Sequence, residues 1–292
     1  MPSLKDIRAR IDSTKNTQQI TSALKLVSAS KLKRAQNNIV NLRPYAHGLK
    51  QLIYDLAASG KATHSLLDQR LNPKNLLLVV VSSDRGLCGA FNSNINKFTA
   101  KFLKDNKSNY ENIDIIFVGK KAKEFFARQN ITAKETVTDL AREISYGMAA
   151  DIAEKVLGHY LKGDYDEVRL VYNEFKSAIS QIVRCEKLVP IDAKAGMEES
   201  SPNTFSGDII IEPSAEFMIE QLVKKYFATD VFRCLSESVA AEHGARMSAM
   251  ENATKNAGEM IKTMTLTYNK LRQASITSEL IEITTGAEAL KG

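Results

Sequence analysis

The loop Ser82-Ser83-Asp84-Arg85-Gly86-Leu87-Cys88-Gly89 is the stretch of this 292-residue chain that most resembles a site of chemistry. It follows a continuous apolar run, Leu76 to Val81, and precedes an amphipathic segment from Ser93 to Leu103. A strand, a glycine loop and a helix start together can cradle phosphate, because the free N–H groups of the first helical turn attract anions. This loop has neither the Lys-Ser/Thr pair of a P-loop nor the third glycine of a dinucleotide fold, so it reads as a structural turn. Cys88 stands near an arginine at a helix start, a place where a thiol pKa can fall. With no histidine paired to it, it reads as an inert thiol. His47, His64, His159 and His243 are scattered, with no i,i+4 pair and no nearby carboxylate cluster, so neither a metal site nor a hydrolytic triad is expected. Cys88, Cys185 and Cys234 are odd in number and widely spaced, which suits reduced cytosolic thiols. No catalytic residue, cofactor or metal is expected in this chain.

The elements around the loop give the middle of the chain an α/β character. Leu76–Val81 has the continuous β-rich pattern of a strand buried on both faces. Ile113–Val118 repeats it, Ala122–Gln129 is a short helix and Asp139–Leu161 a longer one. Val168–Tyr172 is a third strand, and Ile179–Val189 alternates like a fourth, partly exposed one. Asp192–Gly207 reads as a loop, and Ile209-Ile210-Ile211 as a last short strand. Strand–helix alternation predicts a mainly parallel, three-layer, Rossmann-like α/β domain over 74–207.

Both ends of the chain are helical. From Ser214 to Gly292 there is no proline, and Met250, Ala253, Ala257, Ile261, Met264, Tyr268 and Leu271 recur in steps of three and four. That is the seam of a coiled coil rather than the wider stripe of a core helix. Phe232, Leu235 and Val239 keep the same spacing upstream. An unbroken helix of about 79 residues would run roughly 118 Å, so its seam needs a partner. The partner is the N-terminal segment. Ser3 and Asp6 form a capping-box-like start; Leu4, Ile7, Ile11, Leu24, Val27, Leu32, Ala35, Ile39 and Leu42 carry the seam, which turns polar around Gln18 and Gln19. Pro44 should kink or break this helix, and Gly60 with Lys61-Ala62-Thr63 ends it. The predicted architecture is an antiparallel coiled coil of N-terminal (1–58) and C-terminal (208–292) helices with the α/β domain inserted between them. Beyond about Tyr268 the longer helix should run unpaired.

Charge is concentrated at one end. The net +6 is made of +8 in residues 1–50 and −1 in each of 51–213 and 214–292. A basic strip suits a solvated helix face or a surface facing acidic protein, nucleic acid or lipid. Nucleic acid is disfavoured, because the strip lacks interleaved aromatics and its seam is committed to a helix. No apolar run approaches the ~20 residues of a membrane span, and Met1 leads into Leu4-Lys5-Asp6-Ile7 without a signal-peptide pattern.

Ile276-Thr277-Ser278-Glu279-Leu280-Ile281-Glu282-Ile283-Thr284-Thr285-Gly286-Ala287-Glu288-Ala289 resembles the C-terminal signature of the gamma subunits of F-type ATP synthases. Three further stretches agree: Ile7-Arg8 with Asn16-Thr17-Gln18 and Ile20-Thr21; Ser83 to Gly89; and Ala245-Arg246-Met247 with Ala249-Met250, Ala253-Thr254 and Asn256-Ala257. The likeness spans the whole chain in order. His243 and Gly244 depart from it, standing where a more helix-favouring pair is common, which would loosen the coil locally.

The resemblance implies a rotary shaft. The coil turns inside a hexamer of alternating alpha and beta subunits, and the α/β domain and lower coil sit on the c-subunit ring and bind the epsilon subunit. Proton flow drives rotation and catalysis stays in the beta subunits, so this chain would be a non-catalytic subunit without cofactors. Arg85, Arg272 and Gln273 are implied as polar catches on beta-subunit loops, with Thr277 and Glu279 as further contacts on the tip. The basic excess around Lys25, Lys31, Lys33 and Arg34 would face acidic loops of those subunits. No nucleic acid is implied, and membrane contact comes only through partners, at the cytoplasmic face of a bacterial inner membrane. The alternatives are a nucleotide-dependent enzyme built on the α/β domain and a basic coiled coil that binds nucleic acid.

Overall fold

A computed structural model describes residues 3–58, 64–70, 72–138, 144–191 and 212–290. The chain divides into two compact units, one made of Met1–Ser28 with Met247–Gly292 and the other of Ala29–Arg246. Helix α1 (Leu4–Ala58) contributes to both, as does the long C-terminal helix, α5 (Ala215–Ala289).

In the first unit the two helices pair antiparallel. Lys25 Nζ lies 2.7 Å from Glu251 Oε1, the hydroxyls of Thr21 and Thr254 are 2.8 Å apart, and Gln18 Nε2 reaches the Thr254 carbonyl at 3.5 Å. Numbers that fall along α1 meet numbers that rise along α5. Between Met250 and Leu271 the buried and half-buried positions of α5 are Met250, Ala253, Thr254, Ala257, Gly258, Ile261, Met264, Tyr268 and Leu271, so the expected seam is the one that packs. On α1 one expected seam residue is displaced. Val27 is 55% exposed, and Ser28 is buried in its stead. Its hydroxyl donates to the Leu24 carbonyl at 2.8 Å, so a small polar residue can sit in the seam without an unpaired group. The start of α1 is capped as expected. Asp6 N donates to Ser3 Oγ, and Ser3 N donates to Asp6 Oδ2. The reciprocal bonds hold the Asp6 carboxyl below its ordinary range.

The second unit is the α/β body. Its strands are β1 (Asn75–Val81), β2 (Asn112–Val118), β3 (Glu135–Val137), β4 (Glu167–Phe175) and β5 (Gln181–Val189), in the sheet order β3-β2-β1-β4-β5. β1, β2, β3 and β4 pair parallel, while β5 returns antiparallel on β4. β3 was not expected from the sequence; three residues are too few to show a period. Ile179 lies outside β5 and is 87% exposed, in the turn that joins it to β4.

The alternation of side chains sorts the core into two faces. Leu78, Val80, Ile115, Phe117 and Val171 meet α2 (Phe91–Asp105) and α3 (Lys120–Ala127) through Ile95, Ala122 and Phe126. Leu77, Val79, Ile116, Val118, Leu170 and Tyr172 share a core with Ile152, Val156 and Tyr160 of α4 (Tyr146–Leu161), Ile53 of α1, and Ile219, Val223, Phe227 and Val231 of α5. Three layers result. The terminal helices are thus part of the domain core as well as of the coil.

Pro44 does not break α1. Pro44 and Val40 are both exposed, so the Val40 carbonyl that loses its i+4 donor lies on the solvent-facing side of the helix, where its loss costs least. α4 begins at Tyr146, with Ser145 as its N-cap accepting from Met148 N at 3.2 Å. α5 begins after Ser214, whose hydroxyl accepts from Phe217 N. The helix end expected at Gly60–Thr63, the start of a helix at Asp139, the loop Asp192–Gly207 and the strand Ile209–Ile211 lie outside the described residues.

Candidate functional site

The loop after β1 is built from its own polar residues. Ser83 N donates to Asn92 Oδ1 (3.1 Å), Asn92 Nδ2 to Ser83 Oγ (2.7 Å) and Cys88 Sγ (3.2 Å), and Ser83 Oγ to the Arg85 carbonyl (2.6 Å). Lys120 N donates to Asp84 Oδ1, and Ala122 N to Ser82 Oγ, so the start of α3 is tied to the same loop. The backbone passes through the left-handed region at Leu87 (φ 64°) and Gly89 (φ 56°). For leucine that conformation is strained, and here it turns a side chain that is 67% exposed outward while Cys88 goes inward. The N–H groups of Ser82 and Ser83 and the hydroxyls of both serines are thus engaged in holding the loop.

Cys88 is buried against Phe91, Ala241 and Ala245. Burial pushes its thiol up, and hydrogen bonding from Ser83 and the charge of Arg246 only partly oppose this. The lowering that a helix start beside an arginine can give is therefore overridden by desolvation.

Arg85 is exposed at the crest of the loop. Beneath it, Arg246 of α5 donates from Nη2 to the carbonyls of Arg85 (3.4 Å) and Gly86 (3.3 Å), and pairs with Glu242 Oε1 at 2.7 Å. Its Nη1 lies 3.4 Å from His243 Nδ1. A guanidinium only donates, so that nitrogen accepts and the ring is neutral. Burial, reinforced by Arg246 and Lys31, brings the His243 pKa down to about 4. Lys31 also acts on Glu242, whose carboxyl is raised by burial and pulled back by Arg246 and Lys31.

Gly244, beside His243, does not loosen the helix as its type suggests. A Cβ there would stand 3.2 Å from Ala178 Cα and 3.3 Å from the Phe175 ring. The missing side chain lets the β4–β5 turn close onto α5.

The remaining expected contact residues fall into two groups. Lys31, Lys33 and Arg34 are exposed on α1 in the α/β unit. Arg272, Gln273, Thr277 and Glu279 are exposed on α5 in the coil unit. Thr277 Oγ1 donates to the Gln273 carbonyl (2.9 Å) and Ser275 Oγ to Glu279 Oε1 (3.2 Å), so these hydroxyls are satisfied along the helix itself. From Ile276 to Leu290 every residue is exposed, including Ile276, Leu280, Ile281 and Ile283. The sequence reading missed Arg246 as a site residue. Its only signal was membership of the Ala245-Arg246-Met247 stretch, since its bonds to the loop span 160 residues or more of sequence.

Among the described residues no group of His, Cys, Asp and Glu is placed to hold a metal ion, and no helix is long and apolar enough to cross a membrane.

In sequence, the α/β domain is inserted between two chain-terminal helices that pair antiparallel, and the longer of these is exposed over its last residues. A family model described as ATP synthase matches residues 3–290. The chain is 59% identical over 297 residues to the ATP synthase gamma chain of Bdellovibrio bacteriovorus, with both chains covered completely. It is 46% identical over 293 residues to that of Anaeromyxobacter dehalogenans, covering 99% of this chain and all of the relative. Among solved structures it is similar to the central stalk of the Tetrahymena thermophila mitochondrial ATP synthase, at 30% identity and a TM-score of 0.61 over 80% of this chain and 99% of that one. It is also similar to a chain of the Euglena gracilis mitochondrial ATP synthase assembly of OSCP, F1 and c-ring, at 25% identity and a TM-score of 0.68 over 98% and 94%. The chain belongs to the ATP synthase gamma-chain family.

Proposed function

We propose that this chain is the central rotary shaft of an F-type ATP synthase, transmitting proton-driven rotation of the membrane ring to the nucleotide sites of the beta subunits. The observation that carries this reading is the bare end of α5. Fifteen consecutive exposed residues, Ile276 to Leu290, include five large aliphatic side chains at Ile276, Leu280, Ile281, Ile283 and Leu290. A lone helix of this length is marginal in water, so its packing must be supplied by other chains, and a surrounding alpha–beta hexamer supplies it on all sides.

The chain is then a non-catalytic subunit. Its division into a 1–58 helix, a 74–207 α/β domain and a 208–292 helix gives one part to the ring and the epsilon subunit and the other to the hexamer. Arg272 and Gln273, with Thr277 and Glu279, are the contacts of the tip with beta-subunit loops, and Arg85 is the contact of the α/β body. Lys31, Lys33 and Arg34 form the basic face that meets acidic loops. The complex lies at the cytoplasmic side of a bacterial inner membrane, and this chain touches the membrane only through its partners.

The test is co-purification from detergent-solubilised membranes with alanine variants of the contact residues. The shaft reading expects the alpha, beta, epsilon and c subunits to accompany the chain. Arg85→Ala, and Arg272→Ala with Gln273→Ala, should lower coupled ATP turnover while leaving the isolated chain's melting unchanged. A lost charge-assisted hydrogen bond carries ~1.5–3 kcal/mol, enough to shift the balance of rotational states. Wild-type turnover and proton pumping in those complexes would remove these residues as catches. Failure of the chain to accompany the hexamer would remove the shaft itself.

A further inference from the structure

We propose that Arg246 is a positioning residue that clamps the Ser82–Gly89 loop and so fixes the direction in which Arg85 is presented; the functional half of this rests on the reading of Arg85 as a subunit contact. Within the loop the Arg85 carbonyl accepts from Ser83 Oγ at 2.6 Å, but the crest beyond it is reached only from outside, where Arg246 adds a second donor to that carbonyl and meets the Gly86 carbonyl. The loop's inner bonds, from Ser83 and Asn92, secure the stem, and Cys88 anchors its far side on Ala241 and Ala245. Between them Arg85, Gly86 and Leu87 are exposed, and a Cβ on Gly86 would meet nothing within 4 Å.

Arg246 supplies the hold. One terminal nitrogen reaches two successive carbonyls, those of Arg85 and Gly86, at 3.4 and 3.3 Å. The same nitrogen is set by Glu242 Oε1 at 2.7 Å, one turn back on α5. The Arg246 side chain is only 12% exposed and that of Glu242 17%, so water competes poorly for the pair that sets the guanidinium. The carbonyl of a residue lies one rotation from its own Cα–Cβ bond, so holding the Arg85 carbonyl restricts where its guanidinium can point. The two N–H groups of Nη2 serve Glu242 and, shared, the two carbonyls, while Nη1 faces His243; the single nitrogen of a lysine cannot occupy both positions. Glu242 lends the clamp a counter-charge, and His243, accepting from Nη1, closes its other side.

Two readouts decide it. In the isolated full-length chain, amide hydrogen exchange of residues 84–90 should speed up by about tenfold or more in Arg246→Ala, as local opening of the loop becomes easier. Arg246→Lys should restore little of the protection. Melting curves of both variants check the fold, and the lysine variant carries the test if the alanine one does not fold. In the assembled complex Arg85→Ala and Arg246→Ala should each lower coupled ATP synthesis, and the double variant should fall within about twofold of the worse single one, because residues that act through one another are not additive. Unchanged loop exchange overturns the clamp. So do losses that multiply in the double variant, which would mean that Arg246 acts elsewhere. A silent Arg85→Ala alongside faster exchange in Arg246→Ala would remove Arg85 as a contact while leaving the clamp in place.

Discussion

The hydroxyls of Thr21 and Thr254 face each other 2.8 Å apart across the coil, and this pair sets its register. Each also lies within hydrogen-bond distance of a carbonyl on its own helix, Gln18 at 3.0 Å and Met250 at 2.7 Å. Counting down α1 and up α5 from this pair brings Leu4 beside Leu271. The burial pattern agrees, since Ile7, Ile11, Met264, Tyr268 and Leu271 are covered and, beyond Ser275, nothing on α5 is. The polar stretch of the seam is therefore a register device as much as a weak point.

The first prediction follows from that register. Cutting the chain after Ser275 removes only residues without an intrachain partner on α1. The isolated chain's melting temperature should move by no more than the few degrees that ~1 kcal/mol produces, while assembly with the alpha and beta subunits weakens. A fall well beyond that in the isolated chain would show that the tip is packed within it.

Gly244 yields the second. Replacing it with alanine gains about 1 kcal/mol of helix propensity but presses a methyl onto Ala178 Cα and the Phe175 ring, so the net change in unfolding free energy should be small. Gly244→Leu cannot be accommodated without displacing the β4–β5 turn and should cost ~1–3 kcal/mol, read by denaturant unfolding. Equal stabilities of the two variants would mean that the turn yields freely.

The basic face gives a salt-dependent prediction. Reversing Lys31, Lys33 and Arg34 together to glutamate should weaken assembly or coupled turnover more at low ionic strength than at high, since screening shortens to ~3 Å at 1 M salt. A defect independent of salt would assign the effect to packing.

His243 predicts a pH dependence. Its folded pKa of about 4 lies below the ordinary 6.5 because burial, Arg246 and Lys31 disfavour the charged ring. Between these values the unfolded chain binds a proton that the folded chain does not. Stability therefore falls as pH drops from about 6.5 towards 4, and is fully retained above that window. In His243→Gln this contribution is absent, so the difference between the two proteins' unfolding free energies should shift in the variant's favour across the window. Parallel curves would contradict the neutral, buried ring.

Much of this molecule was legible from spacing alone. The coil seam of α5, the cap at Ser3, the buried strands β1 and β2, and the bare tip each rest on a local period or a local residue type. What escaped depended on contacts distant in sequence. Ser28 takes a seam position because its hydroxyl bonds back to Leu24, which hydropathy spacing does not register. β3 has three residues, held by β2 on one side. Gly244 looks like a weak point of the helix until the β4–β5 turn is placed against it. Arg246 looks like surface charge until the Arg85 loop comes to lie over it. Of the expected contact residues, the tip set stands on one helix stretch because its sequence spacing is short, whereas Arg85 owes its setting to α5.

The measurement that bears most directly on the shaft is rotation itself. Ile179, 87% exposed in the β4–β5 turn, can be replaced by cysteine to carry a bead, since Cys88 and Cys234 are buried and Cys185 is partly so. With the hexamer fixed to a surface and ATP supplied, the account predicts stepwise rotation of the bead in one direction, with dwells that follow the symmetry of the hexamer. A bead that stays fixed, or wanders without direction while ATP is being turned over, would contradict it.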